Sequence, residues 1–289
     1  MHGDHTMPLA IGKDSVRTET IAGSEIRLRL FSSLDLETAE TTDKEPHWSD
    51  LQRSVRIAWT PNGDPVRQIA PRSRLSVGRY NSRKAGRMLP HQSRGHGRIG
   101  GEKLALMTCE IDPGILDFRS QHIRFDLLSG GAARSYFPDI VALTRDGDIL
   151  VVEVKKDARW QADADYRAKI DTVQDVCADL GWRFEVWTDA DMAPTKRFRD
   201  NVVQIQMQRF VAIDDVQTLL VERAMRTNRN RMSIGQIRDV LGGMPGAVDM
   251  VRGLMCRGVL QLPLGEMISD ATVAVLAAPT ATPAREHAA

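Results

Sequence analysis

The sequence predicts a mixed α/β core followed by a mostly helical C-terminal domain, and three observations carry the prediction. Arg145-Asp146-Gly147-Asp148 is a strong hairpin signal between two apolar runs, 136–144 and 149–155. An amphipathic helix follows over 163–180: Tyr166, Ile170, Val173, Cys177 and Leu180 fall at helical spacing, and Gly181 stops it. Beyond residue 196 helical patterns dominate.

Taken in order, residues 1–25 show no clear periodicity and are expected to be mobile. Ile26–Phe31 alternates like a strand, and 38–50 reads as a polar, acidic linker. A basic stretch comes next. Residues 102–111 form a helix that Asp112-Pro113 ends, because the residue before proline is pushed out of the α region. Strands follow at 121–128, 136–144 and 149–155, then the amphipathic helix and a last strand at 182–188, for an order α-β-β-β-α-β. Helices are expected at 196–208, at 213–225, from the Ser233 N-cap to Leu241, and from Pro245 to about Arg257. The apolar segments 259–264 and 271–276 then flank a short turn. Helix, tight turn, helix and small hairpin make a winged-helix pattern. The resulting division is an N-terminal region 1–64, partly disordered; a basic arm 65–100; a core 101–210; a winged-helix-like domain 211–278; and a disordered tail 279–289.

The 289 residues are 42% hydrophobic and 27% charged, which excludes a wholly disordered or fibrous chain. No apolar run approaches the roughly 18–20 residues a bilayer span needs, and the start lacks a signal-peptide pattern. Cys109, Cys177 and Cys256 lie far apart in helical patterns and read as core hydrophobes in a reducing cytosol. A cytoplasmic protein is the expectation. The net charge of +1 hides an asymmetry: residues 65–100 carry nine basic side chains and no acid. Such a run repels itself unless an anion neutralises it, and a nucleic-acid backbone is the usual partner. Its Gly, Pro and Ser content reads as a flexible arm. Arg79, Arg83, Lys84, Arg87, Arg94 and Arg98 are the candidate DNA contacts.

The sharpest chemical signal is Pro138-Asp139 followed by Glu153-Val154-Lys155. Alternation puts Glu153 and Lys155 on one strand face and Val152 and Val154 on the other, toward the core. A carboxylate and an amine on a buried strand are costly without a purpose, and a divalent cation supplies one. Hard oxygen donors hold Mg²⁺, with the main-chain carbonyl of Val154 as a further ligand. The hairpin register tests this. A two-residue turn would set Asp139 opposite Val154. A three-residue loop, with Gly147 left-handed, sets Asp139 opposite Glu153 on the same face. Glu102, at the start of the first helix, is the third carboxylate, with Glu110 as the alternative. Lys156, Lys169 and Gln174 are weaker candidates for the same cleft.

Proline-Asp139, Glu153-Val154-Lys155 and the α-β-β-β-α-β order resemble the PD-(D/E)XK nuclease superfamily, whose restriction-endonuclease-like core is a mixed central sheet flanked by helices. Within it the chain resembles the TnsA-type endonuclease subunits of heteromeric bacterial transposases. That likeness runs from Asn81-Ser82-Arg83-Lys84-Ala85-Gly86-Arg87 through Glu102, Glu110-Ile111-Asp112-Pro113-Gly114-Ile115 and Phe118-Arg119-Ser120-Gln121 to Asp139 and Lys155. The main departure is the loop His91–Gly101, where a polar, Ser/Glu-containing helix start would be expected. The resemblance implies Mg²⁺-dependent phosphodiester hydrolysis, with one or two ions and Mn²⁺ as a substitute. Glu102, Asp139 and Glu153 would hold the metal and Lys155 would orient the attacking water. It also implies DNA as substrate, a DDE-type transposase partner and an AAA+ ATPase regulator. A restriction or repair nuclease and a non-catalytic DNA-binding module on the same fold are the competing readings.

Overall fold

A computed structural model describes residues 17–19, 55–60, 63–67, 75–94, 99–129 and 132–278. The candidate strand at 26–31, the linker at 38–50 and the tail at 279–289 lie outside them.

The centre is a four-stranded mixed sheet, β10-β9-β8-β5, made of β5 (Ile115–Ser120), β8 (Ile140–Thr144), β9 (Ile149–Lys155) and β10 (Arg183–Thr188). Strands β5, β8 and β9 are antiparallel neighbours, and β10 joins β9 in parallel. A parallel neighbour requires a crossover, and α2 (Ala164–Asp179) supplies it. Asp163 caps α2 by accepting from Tyr166 N–H at 3.1 Å, and Gly181 leaves it at φ +69°. A second sheet, β1-β2-β6-β7, contains β1 (Arg17–Glu19), β2 (Val55–Trp59), β6 (Ile123–Ser129) and β7 (Ala132–Tyr136).

Two layers of apolar side chains enclose the central sheet. Ile140, Ala142, Leu150, Val152 and Val154 pack against α1 (Glu102–Ile111) and α4 (Lys196–Met207). Val141, Ile149 and Val151 pack with α2 and the second sheet. The Glu153 face of β9 is therefore as buried as the valine face. The two-sided reading of β9, with one face in the core, needs that correction.

The expected strand at 136–144 is two strands in different sheets, parted at Phe137-Pro138-Asp139. Proline cannot donate to a ladder, so the chain leaves one sheet and enters the next there. Strands β1, β2 and β5 were not expected from local patterning. Strand β2 buries Ile57, Ala58 and Trp59 in succession, so it carries no alternation to mark it.

The basic segment is not a flexible arm over 75–94. It is an antiparallel hairpin of β3 (Leu75–Ser82) and β4 (Arg87–Arg94). Tyr80 and Ser82 on one strand and Leu89 and His91 on the other are buried at every second position. That period-two pattern decided the structure; the arginines between had drawn attention to charge instead.

After α3 (Asp189–Met192) and α4, the chain forms α5 (Asp215–Thr227), β11 (Arg231–Ser233), α6 (Ile234–Val240), α7 (Ala247–Cys256), β12 (Leu260–Gln261) and β13 (Val273–Leu276). The three strands make a small sheet, β11-β13-β12. Side chains of α7 share one apolar cluster with α1 and α4, and Asn201 binds the carbonyls of Leu264 and Glu266 at 2.7 and 2.8 Å. No helix among the described residues is long and apolar enough to cross a membrane.

Candidate active site

The β8–β9 hairpin has the three-residue loop. Thr144 N–H donates to the Asp148 carbonyl at 2.9 Å, Gly147 stands at φ +84°, and Ile140 pairs with Val152. One step further along, this register puts Asp139 beside Glu153. Asp139 Oδ2 accepts the Val154 N–H at 2.8 Å and Oδ1 accepts from Gln121 Nε2 at 3.1 Å.

Glu153 is 4% exposed and densely bonded. Its Oε1 accepts Lys155 Nζ at 2.6 Å and the Tyr166 hydroxyl, and its Oε2 accepts the Tyr136 hydroxyl at 2.6 Å. Lys169 Nζ lies 3.8 Å from Oε1 and 4.4 Å and 4.7 Å from the Tyr166 and Tyr136 ring centres. A carboxylate has about four lone-pair sites, so roughly one is left, on Oε2. Burial pushes Glu153 up, but Lys155 and Lys169 with the hydrogen bonds from Lys155 and Tyr136 outweigh it and hold it below the usual range. On Asp139 the Val154 N–H and Lys155 pull downward but are outweighed. Burial first, then repulsion by Glu153 and Glu102, raises it well above the usual carboxylate range.

Glu102 opens α1 and faces the same cleft. Its Oε2 accepts the Gln92 N–H of the basic hairpin at 2.8 Å. Burial, with Glu153 adding repulsion, pushes it up to about 7 against the Gln92 hydrogen bond. Glu110, the alternative, is elsewhere. It is fully buried at the other end of α1, accepting from Ser82 Oγ at 2.6 Å and from the Arg83 and Lys84 N–H groups at 3.1 and 3.3 Å.

Glu102, Asp139, Glu153, Val154 and Lys155 thus line one cleft of about 1160 Å³. Lys156, Lys169 and Arg67 line it too, and Gln174 is exposed outside it. Among the described residues no three His, Cys, Asp or Glu side chains are gathered closely enough to form a ready metal cage. The carboxylates share a cavity and a repulsive field, while Glu153 is drawn toward its own donors.

Among the candidate DNA contacts, Arg79 is exposed on β3 and Arg83 half-buried at the hairpin turn. Arg87 is half-buried, with its guanidinium packed beside Gly63. Lys84 points inward. Its Nζ donates to the Cys109 carbonyl at 2.9 Å and to the Asp112 carbonyl, capping the C-terminal end of α1. Burial lowers it to about 8. Its placement at DNA is therefore corrected to a structural one. Arg94 ends β4, and Arg98 lies outside the described residues.

Sequence reasoning missed Tyr136, Gln121, Gln92 and Asp189 as cleft residues and took Tyr166 for a core position. Tyr166 does sit at the core spacing of α2, but from the first turn of that helix its hydroxyl reaches Glu153. Tyr136 carried no local signal: it reaches Glu153 from the other sheet.

A mixed sheet with an acid at a strand entry, an acid–lysine pair on the adjacent strand and a shared carboxylate cleft defines a nuclease-like α/β protein. Residues 112–189, which include Asp139, Glu153 and Lys155, match the family of the TnsA-like endonuclease N-terminal domain. Glu102 lies outside the matched stretch. No curated protein matches the chain.

Proposed function

We propose that the protein is a Mg²⁺-dependent DNA endonuclease of transposition, cutting donor DNA at transposon ends as the TnsA-like subunit of a heteromeric transposase. The observation that carries this reading is the convergence of Asp139, Glu153 and Lys155 on one cleft within the TnsA-like segment. The donor chemistry fits a hard divalent ion: Asp139 and Glu102 are half-buried carboxyls pushed upward by desolvation and by neighbouring acids, which a cation between them would relieve. Asp139, Glu102, the free Oε2 position of Glu153 and the Val154 carbonyl would hold it. When bound, Mg²⁺ would acidify a water and neutralise charge on the transferring phosphoryl group.

The chain's own residues do the rest. Tyr136 and Tyr166 fix the Glu153 carboxylate, and Glu153 in turn fixes Lys155 Nζ at the cleft wall. From there Lys155 can orient a water or donate to a phosphate oxygen. Lys156, Lys169 and Arg67 add positive charge for the scissile strand. The order helix, strand, helix, helix and two strands over 215–276 supports a winged-helix-like C-terminal domain on a restriction-endonuclease-like core. On this reading the partners are DNA, a DDE-type transposase and an AAA+ ATPase regulator.

The test is a nicking assay on DNA carrying transposon ends, with the transposase partner supplied. The full chain should cut with Mg²⁺ or Mn²⁺ and stop with chelator. Asp139→Ala should lose about 10³-fold or more in rate, yet bind DNA as tightly or tighter, because a negative charge facing phosphate is gone. Cutting by Asp139→Ala at the normal rate would falsify the assignment.

A further inference from the structure

Helix α1 lacks a cap of its own. The residue before it is Gly101, at φ +56° and ψ −141°, and no side chain of the N-cap residue satisfies the first amides. Helix starts ordinarily recruit Ser, Thr, Asp or Asn for that task. The amide of the N-cap residue itself is held from a segment 88 residues away: Asp189 Oδ1 accepts the Gly101 N–H at 2.7 Å.

Asp189 is itself anchored to the catalytic strands. It directly follows β10, whose last residue Thr188 pairs with Lys155. Its own N–H points to the Lys156 carbonyl at 3.4 Å. Thr188 and Asp191 close a reciprocal capping box around the turn, with the Thr188 N–H and Oγ on Asp191 Oδ2 at 2.9 and 2.7 Å. The carboxylate is therefore fixed to the backbone that carries Glu153 and Lys155, while its acceptor end holds the backbone that carries Glu102.

The glycines make this approach possible. A Cβ on Gly100 would lie 2.8 Å from Asp189 Oδ2, and the Gly101 dihedrals lie in a region essentially reserved for glycine. The unusual Gly100-Gly101 start of α1 and the acid after β10 are two halves of one joint.

We propose that Asp189 is a positioning residue for Glu102: it anchors the backbone at the start of α1 through the Gly101 N–H and sets the distance between Glu102 and the Asp139–Glu153–Lys155 group. The proposal rests on the endonuclease reading for its effect on rate, though not for its effect on structure. Asp189 also lines the cleft, so a direct role as a fourth metal-binding carboxylate is the rival explanation, and the conservative variant separates the two. Asn keeps an Oδ1 acceptor for Gly101 and loses the charge.

The experiment compares Asp189→Ala, Asp189→Asn and Gly100→Ala in the full chain, by cleavage kinetics and by hydrogen exchange at the Gly101 amide. Asp189→Ala should lower kcat by about 10²-fold with KM for DNA changed by no more than about twofold, since a misplaced group near the reacting atoms is felt in kcat. Asp189→Asn should recover to within about threefold of the parent, and Gly100→Ala should fall between them. Protection of the Gly101 amide should drop in Asp189→Ala and persist in Asp189→Asn. An Asp189→Asn variant as inactive as Asp189→Ala would overturn the proposal in favour of a reacting carboxylate. Unchanged Gly101 protection in Asp189→Ala would overturn it outright. If no form cuts DNA, the endonuclease reading fails, and the exchange data still decide whether Asp189 holds Gly101.

Discussion

The two ends of α1 each carry a glutamate, eight residues apart, one half-buried and one fully buried, and they do opposite things. Glu110 at the C-terminal end is closed in by the β3–β4 turn, with a hydroxyl and two backbone N–H groups on its oxygens. Glu102 at the N-terminal end has one backbone donor, two acids in its field and an open cleft in front of it. Burial alone therefore does not mark a functional carboxylate. What distinguishes them is how completely the protein satisfies the charge: a carboxylate with its donors supplied is structure, and one left short is available for chemistry.

The largest expected effect sets these two residues directly against each other. Glu102→Ala should reduce cleavage by about 10³-fold, with the folded state no less stable than the parent, since removing one repelling acid relieves Asp139. Glu110→Ala should instead destabilise by about 3 kcal/mol, because one buried and two half-buried donors lose their acceptor. Urea unfolding and nicking rates measured on both variants check the contrast. A destabilised, active Glu102→Ala would remove the distinction.

A pH series sharpens it. The Glu102 carboxyl titrates at about 7 in the folded state, against an ordinary glutamate value of 4.5. Between those values the folded chain holds a proton that the unfolded chain has released. Stability should therefore fall as pH rises from 4.5 to 7, and the full penalty should be present above 7. In chelator, Glu102→Gln should be more stable than the parent by about 2 kcal/mol at about pH 8 and equal to it at about pH 4.5. A constant offset across the range would place the effect in packing instead of charge.

The smallest effect concerns the hairpin that connects the two ends. Arg79 and Arg83 changed together to Ala should flatten the log–log salt slope of DNA binding by up to about 0.9 for each phosphate no longer neutralised. Lys84→Ala should leave that slope alone and cost about 2 kcal/mol of stability, since it strips the cap from the last carbonyls of α1. A Lys84 variant that lost salt dependence while keeping its stability would return this residue to the DNA surface.

Local sequence was enough for the hairpin and the helices around it. Gly147 in the third loop position and the Asp139-to-Glu153 spacing set the register, because a one-residue slip would move every side chain to the wrong face. The caps Asp163, Thr195, Asp214 and Ser233 mark helix starts through side-chain acceptors carried in the same stretch of chain. Such features depend on neighbours a few residues apart, so they are written in the order of the residues.

The remainder is settled by contacts between distant segments. Tyr136 and Tyr166 meet at Glu153 from another sheet and a crossover helix, and nothing near either residue announces it. Nine like charges over 65–100 suggested a solvated arm, but alternating burial of Tyr80, Ser82, Leu89 and His91 folded 75–94 onto α1 and drew Lys84 inside. Pro138 looked like a residue within a strand until two sheets were present for the chain to pass between. Sequence by itself determined which acids and which lysine could share a strand face, because alternation and turn length are local geometry. Tertiary structure alone decided which of those charges would be satisfied and which left open to a ligand, because the donors that make the difference come from elements far away along the chain.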